Sequence, residues 1–142
     1  MPEMTIEERK RLLLEKAHEG ESFKRGLKTR REVLGDTYVE ASLTNATEFS
    51  FPMQKLVTEY CWDEIWNRPG LSRRDRSLLN LGMISILNRQ HELRAHVRGA
   101  LNNGVTKEEI AEIFLQVAIY SGVPAAIDSF RSAQSVFDEL AK

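Results

Sequence analysis

Glu92 and His96 stand four residues apart in the run Asn88-Arg89-Gln90-His91-Glu92-Leu93-Arg94-Ala95-His96. On one helix they share a face, one turn apart. A carboxylate beside an imidazole at the edge of an apolar surface can hold and pass a proton near neutral pH. The same spacing also makes an ordinary ion pair on a solvated face, worth roughly 0.2–0.5 kcal/mol, and spacing by itself leaves both readings open. His91 suits a cap or surface role, and His18 falls in a charged leader.

A second group is cationic. Arg68, Arg73, Arg74 and Arg76 surround the start of a helix, where positive charge opposes the macrodipole unless an anion compensates it. Salt bridges to Asp63, Glu64 or Asp75 would do so, and so would a substrate carboxylate gripped by guanidinium forks. Trp62 and Trp66 read as core or subunit-interface residues, with a pocket wall as the lesser alternative. Cys61 reads as a small buried hydrophobe without an activated thiolate. There is no Gly-rich phosphate loop, no HExxH spacing and no nucleophile-elbow motif.

The elements that must position these residues are helices throughout. The spacing predicts helices over Thr5 to Ala17, Ser22 to Leu34 (stopped by Gly35-Asp36), Thr37 to Leu43, and Glu48 to Tyr60 after a cap at Asn45 or Thr47. In the last of these, Phe49, Met53, Leu56, Val57 and Tyr60 fall at three- and four-residue spacing, and Trp62, Ile65 and Trp66 continue as a short apolar piece. A turn at Arg68-Pro69-Gly70-Leu71 follows. Ser72 with Asp75 starts a helix to Leu87 that is apolar nearly all round, which marks it as the central buried helix. His91 to Asn102 is next, with Leu93, Val97, Ala100 and Leu101 inward and Asn103-Gly104 as its end. A capping box at Thr106 and Glu109 opens a helix carrying the stripe Ile110, Ile113, Phe114, Val117 and Tyr120. Gly122 ends it, and Pro124 opens a last helix with Ala126, Phe130, Ala133, Phe137 and Leu140 on one side. No segment shows strand alternation, so the expected fold class is all-α.

The 142 residues fit one domain, 42% hydrophobic and 29% charged. Twenty basic against 21 acidic residues give a formal charge of -1, so no global field recruits nucleic acid or an anionic membrane. The single cysteine excludes an intrachain disulfide, a CxxC pair and a multi-cysteine metal site. The amino terminus lacks an apolar leader core, and no apolar run is long enough to span a bilayer. The expectation is a soluble cytoplasmic protein that binds neither nucleic acid nor membrane.

Several dispersed motifs then occur in one order: GLKTRREVLGD at 26–36, RPGL with its following arginines at 68–71, ELRAH at 92–96, ALNNGVTKEEI at 100–110 and AIYSGVPAA at 118–126. Together they resemble the carboxymuconolactone decarboxylase family of the alkylhydroperoxidase-like superfamily, from about residue 26 to 138. The resemblance sets an amino-terminal extension (1–21) before a family domain (22–142). It implies a ring-like homo-oligomer, a hexamer or trimer, with no metal or organic cofactor. It also implies cofactor-independent decarboxylation of a small lactone carboxylate, 4-carboxymuconolactone, to β-ketoadipate enol-lactone in aromatic-compound catabolism. His96 would then carry the proton and Glu92 orient it; Arg73, Arg76 and Arg68 would hold substrate carboxylates, with Glu64 and Trp66 as further pocket residues. Alternatives are a related lactone or enol isomerase or cyclase using the same pair, and a non-catalytic helical oligomer. Two departures matter. Arg89 and Glu92 occupy the places of the dithiol of peroxidase relatives, which excludes peroxide reduction by that route. Ser121 stands where many decarboxylases of this group carry cysteine.

Overall fold

The computed structural model describes Met4, Thr5, Glu7, Glu8, Arg11, Leu12, Glu15 and residues 20–142. Among these, every regular element is helical and no strand occurs. Thr5 and Glu8 cap each other reciprocally, Thr5 N–H donating to the Glu8 carboxylate at 2.7 Å and Glu8 N–H to Thr5 Oγ1 at 3.2 Å, so a helix does begin where expected. The leucine run at Leu13 and Leu14, and His18, lie outside the described residues.

The chain forms two compact units, residues 1–69 and 70–142. In the first, α1 (Glu21–Leu34) ends at Gly35 with φ 90°, a left-handed geometry that suits glycine. Helix α2 (Asp36–Thr44) follows. The turn before the next helix is tied by Ser50 N–H donating to Thr47 Oγ1 at 3.2 Å, and Pro52 sits in the first turn of α3 (Phe51–Leu56). The sequence reading expected α3 to stop near Tyr60 and a separate short piece to carry the tryptophans. Instead the chain continues without a break as a π-helix, Val57–Ile65, in which Trp66 N–H reaches back five residues to the Cys61 carbonyl at 3.0 Å.

The wider π turn meets α1 at Gly26. A Cβ there would fall 1.9 Å from the Thr58 carbonyl oxygen, so only glycine allows the two backbones to approach so closely. Phe51, Thr58 and Trp62 point inward, while Phe49, Met53, Leu56 and Tyr60 of the expected stripe are exposed, Phe49 to 95%. Asp63 is fixed by a bidentate contact from Arg25 (Nε to Oδ1 and Nη2 to Oδ2, each 3.1 Å) and by donors from Ser22 (2.9 Å) and Asn67 (3.1 Å). It is therefore Arg25, and not an arginine of the 68–76 group, that takes this carboxylate. The Arg25 guanidinium holds the Asp63 carboxyl below its ordinary value, with Asn67 and Ser22 assisting against burial.

In the second unit, α4 (Arg73–Leu87) starts with Ser72 Oγ accepting from Asp75 N–H at 3.1 Å. It ends at Asn88, the one non-glycine residue with positive φ (56°) among those described, which turns the chain directly into α5 (Gln90–Asn102). Thr106 and Glu109 form the expected capping box of α6 (Lys107–Tyr120), and Gly122 at φ 131° separates it from α7 (Val123–Leu140). Leu81, Leu93, Val97, Ala100, Ile110, Phe114, Ala133 and Val136 interlock into one core drawn from all four helices. Buried polar groups are paired across it: Ser85 and Ser129 share a 2.6 Å hydrogen bond, and Ser132 donates to Gln90 at 2.7 Å.

Helix α4 is not buried all round. Ser77, Leu81 and Ser85 face the core, whereas Leu79, Met83, Ile86 and Leu87 are each at least half exposed. Its apolar residues outnumber what one core-facing stripe can cover, so a second stripe borders a groove of about 360 Å³ shared with Ile113, Val117 and Tyr120 of α6. Tyr120, expected in the core stripe of α6, is 83% exposed for the same reason.

Candidate active site

Helix α5 carries both Glu92 and His96. Leu93, Val97 and Ala100 anchor its inner face at three- and four-residue spacing, which leaves Glu92 and His96 together on a neighbouring face. Glu92 is exposed and His96 half-buried. Dense surroundings push the His96 imidazole down from 6.5 to about 4, against the opposing pull of the Glu92 carboxylate. The ring is thus neutral at pH 7, with one nitrogen able to donate and the other to accept.

The arginines divide by role. Arg74 pairs with Glu109 of α6, a carboxylate absent from the partners expected for it, and the pair holds Glu109 below its ordinary value. The same Glu109 closes the capping box, so the ion pair ties the first turn of α4 to that of α6. Arg73 and Arg76 are half-buried in the first turn of α4. Asn103, at the end of α5, donates to the Arg73 carbonyl at 3.4 Å and to Ser77 Oγ at 2.9 Å, which sets the start of α4 level with the end of α5. His96 lies seven residues before Asn103, about 10 Å along the axis at ~1.5 Å per residue. The structure therefore places Glu92 and His96 one turn apart on α5 and sets Arg73 and Arg76 at the open end of the α4–α5 hairpin.

Glu64, Trp66 and Arg68 belong to the first unit. Glu64 and Arg68 are exposed; Trp66 is 4% exposed and stacks on Trp62 with ring centroids 4.8 Å apart. Cys61 is half-buried, and burial pushes its thiol up, as expected for an inert cysteine. Sequence reasoning missed Arg25 and Glu109 as the partners that organise these charges. The Thr106–Glu109 motif flagged Glu109 as a cap, but nothing in its spacing pointed to Arg74.

This all-helical chain, with a neutral histidine and a carboxylate one turn apart, matches the model of the carboxymuconolactone decarboxylase family over residues 52–135. It is 42% identical over 118 residues to the 4-carboxymuconolactone decarboxylase of Acinetobacter baylyi, covering 83% of this chain and 88% of that protein. It is also 47% identical over 118 residues to a nitrosuccinic acid decarboxylase of Metarhizium robertsii, covering 83% of this chain and 82% of that one. The chain belongs to the carboxymuconolactone decarboxylase family, and it is an enzyme of the carboxy-lyase class. No helix among the described residues is long and apolar enough to cross a membrane.

Proposed function

We propose that this enzyme decarboxylates a small dicarboxylate that carries its own electron sink, with 4-carboxymuconolactone as substrate and β-ketoadipate enol-lactone as product. The observation that carries the reading is the half-buried, neutral His96 beside Glu92, in a chain 42% identical to a decarboxylase of that lactone. Loss of carbon dioxide from the ring carbon γ to the lactone carbonyl sends the electron pair through the double bond onto the carbonyl oxygen. The resulting dienolate is protonated at the carbon α to the carbonyl. The protein must stabilise the oxyanion and deliver one proton. His96 does the second, and Glu92 orients its ring. Arg73 and Arg76 hold the substrate carboxylates from the far end of the hairpin. The role falls to residues of the second unit alone.

The 47% identity to a nitrosuccinic acid decarboxylase supports a second substrate reading. There the carbon dioxide leaves the carbon bearing the nitro group, the electron pair moves onto the nitro oxygens as a nitronate, and the same carbon takes the proton. Both reactions need a dianion grip and one proton donor. Incubating the enzyme with each compound and following carbon dioxide release decides between them. Release from the lactone at the higher kcat/KM supports the first reading, preference for nitrosuccinate the second, and release from neither overturns both.

The same reading makes the protein a cytoplasmic homo-oligomer, a hexamer or trimer, in the aromatic catabolism of its cell. What supports assembly is the exposed apolar stripe of Leu79, Met83, Ile86 and Tyr120 along one groove.

A further inference from the structure

Past its charged first turn, α4 carries three polar side chains among its apolar ones: Ser77, Asn80 and Ser85. Two of them have partners. Ser77 Oγ accepts from Asn103 at 2.9 Å, and Ser85 shares a 2.6 Å hydrogen bond with Ser129. The Asn80 amide makes no hydrogen bond with any described residue, yet it is not sealed off: the residue is half-buried and its polar atoms stay within reach of water. Asparagine is a weak helix former in mid-helix, so an amide placed there without a partner costs stability and returns none.

The hairpin fixes where that amide stands. Helices α4 and α5 run antiparallel about the turn at Asn88, and Asn103 donating to the Arg73 carbonyl sets those two residues level. Asn80 lies seven residues after Arg73 and His96 seven before Asn103, so both stand about 10 Å from the open end at ~1.5 Å per residue. They also share a side of the hairpin. Arg73, Ser77, Asn80 and Ile84 recur at steps of four, three and four, as do Glu92, His96, Gly99 and Asn103, so each set forms one helix face. The Asn103–Ser77 bond joins those two faces. Packed helices stand about 8–10 Å apart, so an amide and an imidazole at one level reach the same small space. Arg76 precedes Asn80 by one turn on α4.

We propose that Asn80 is a further catalytic residue, its side-chain N–H donating to the substrate oxygen that takes up the electron pair as carbon dioxide leaves. The proposal rests on the decarboxylase reading above and supplies the oxyanion donor that reading requires. When the bond to the departing carboxylate carbon breaks, its pair moves onto the lactone carbonyl oxygen, or onto a nitro oxygen in nitrosuccinate. Asn80 gives up no proton; the proton that completes the reaction passes from His96 to carbon. A neutral amide suits this task. The accepting oxygen is weakly charged before the bond breaks and carries the negative charge after it, so the hydrogen bond strengthens on the way to the transition state. A carboxylate held by Arg76 lies one turn from that amide, which sets the anionic end of the substrate and its electron sink along one helix face.

The experiment follows carbon dioxide release by the native enzyme, Asn80→Ala and Asn80→Asp on whichever of the two compounds is turned over, with His96→Gln as reference. Alanine favours a helix, and aspartate keeps the shape of asparagine, so both variants keep the fold, checked by circular dichroism. In Asn80→Ala, kcat should fall about 10²–10³-fold while KM stays within about threefold, the mark of a contact made in the transition state. Asn80→Asp exchanges the donor for a carboxylate that repels the developing charge, so its kcat should fall at least as far. Turnover within about threefold of native in both variants, or a raised KM at unchanged kcat, would overturn the proposal. Either result, with His96→Gln still defective, leaves the decarboxylase reading standing. Release from neither compound by the native enzyme overturns that reading, and the role of Asn80 with it.

Discussion

Lowering the pH from 7 to 4 should weaken the fold through His96 in particular. The imidazole titrates at about 4 in the folded chain against 6.5 ordinarily, so folding favours its neutral form. The sign follows: this contribution is complete above about 6.5 and disappears as the pH falls from there toward about 4, because the unfolded chain takes up the proton first. At ~1.4 kcal/mol per pH unit the full effect is about 3 kcal/mol, and water at the half-buried ring brings the expected loss to about 2 kcal/mol. Urea unfolding of the native protein and of His96→Gln at pH 7 and pH 4.5 isolates it, since other groups titrate alike in both. The difference between the two proteins should shift by about 1–2 kcal/mol across that interval. A dianionic substrate reverses the balance. One negative charge about 5 Å from the ring at an effective dielectric of ~20 contributes about 3 kcal/mol, roughly two pH units, so the bound enzyme should hold His96 near neutrality, where it can donate. Proton NMR of the ring reads both values directly. A ligand-free pKa near 6.5, or the same pH dependence in His96→Gln, would refute the reasoning.

Arg73→Ala and Arg76→Ala should raise KM for the dicarboxylate about tenfold or more, and unchanged steady-state kinetics in both would remove them from the grip. Gly26→Ala drives a methyl into the Thr58 carbonyl and should cost about 2–3 kcal/mol in urea unfolding, with the near-ultraviolet signal of the tryptophans altered. Met83→Glu places a charge in the apolar groove of α4 and, if the proposed homo-oligomer uses that groove, should lower the mass read by light scattering; an unaltered mass would show that this groove is not a subunit contact.

Caps and turns were legible in the sequence because they are local. Ser72, Thr106 with Glu109, Gly35, Gly104 and Gly122 each act within a few residues, and the structure uses them as read. The inward faces of α5 and, apart from Tyr120, of α6 were legible through their periodicity. The π-helix was not, because a five-residue step rotates every later side chain and leaves no propensity signature; the exposure of Phe49, Met53 and Leu56, which precede it, is a separate departure from the expected stripe. The outer face of α4 misled for a different reason. Apolar residues all round a helix signal burial somewhere, and a single chain covers only the Leu81 side. The shared face of Glu92 and His96 on one helix was legible from spacing, which left open what the pair does, and the neutral state of the imidazole depends on packing that no motif encodes. The Arg74–Glu109 and Arg25–Asp63 pairs join positions more than thirty residues apart and were beyond local reading.

The central claim is that His96 delivers the proton that replaces carbon dioxide. Its most direct test is kcat of His96→Gln on whichever dicarboxylate the native enzyme turns over, measured as carbon dioxide release with the fold verified by circular dichroism. A fall of about 10²–10⁴-fold is predicted; turnover within a few-fold of the native enzyme would contradict it.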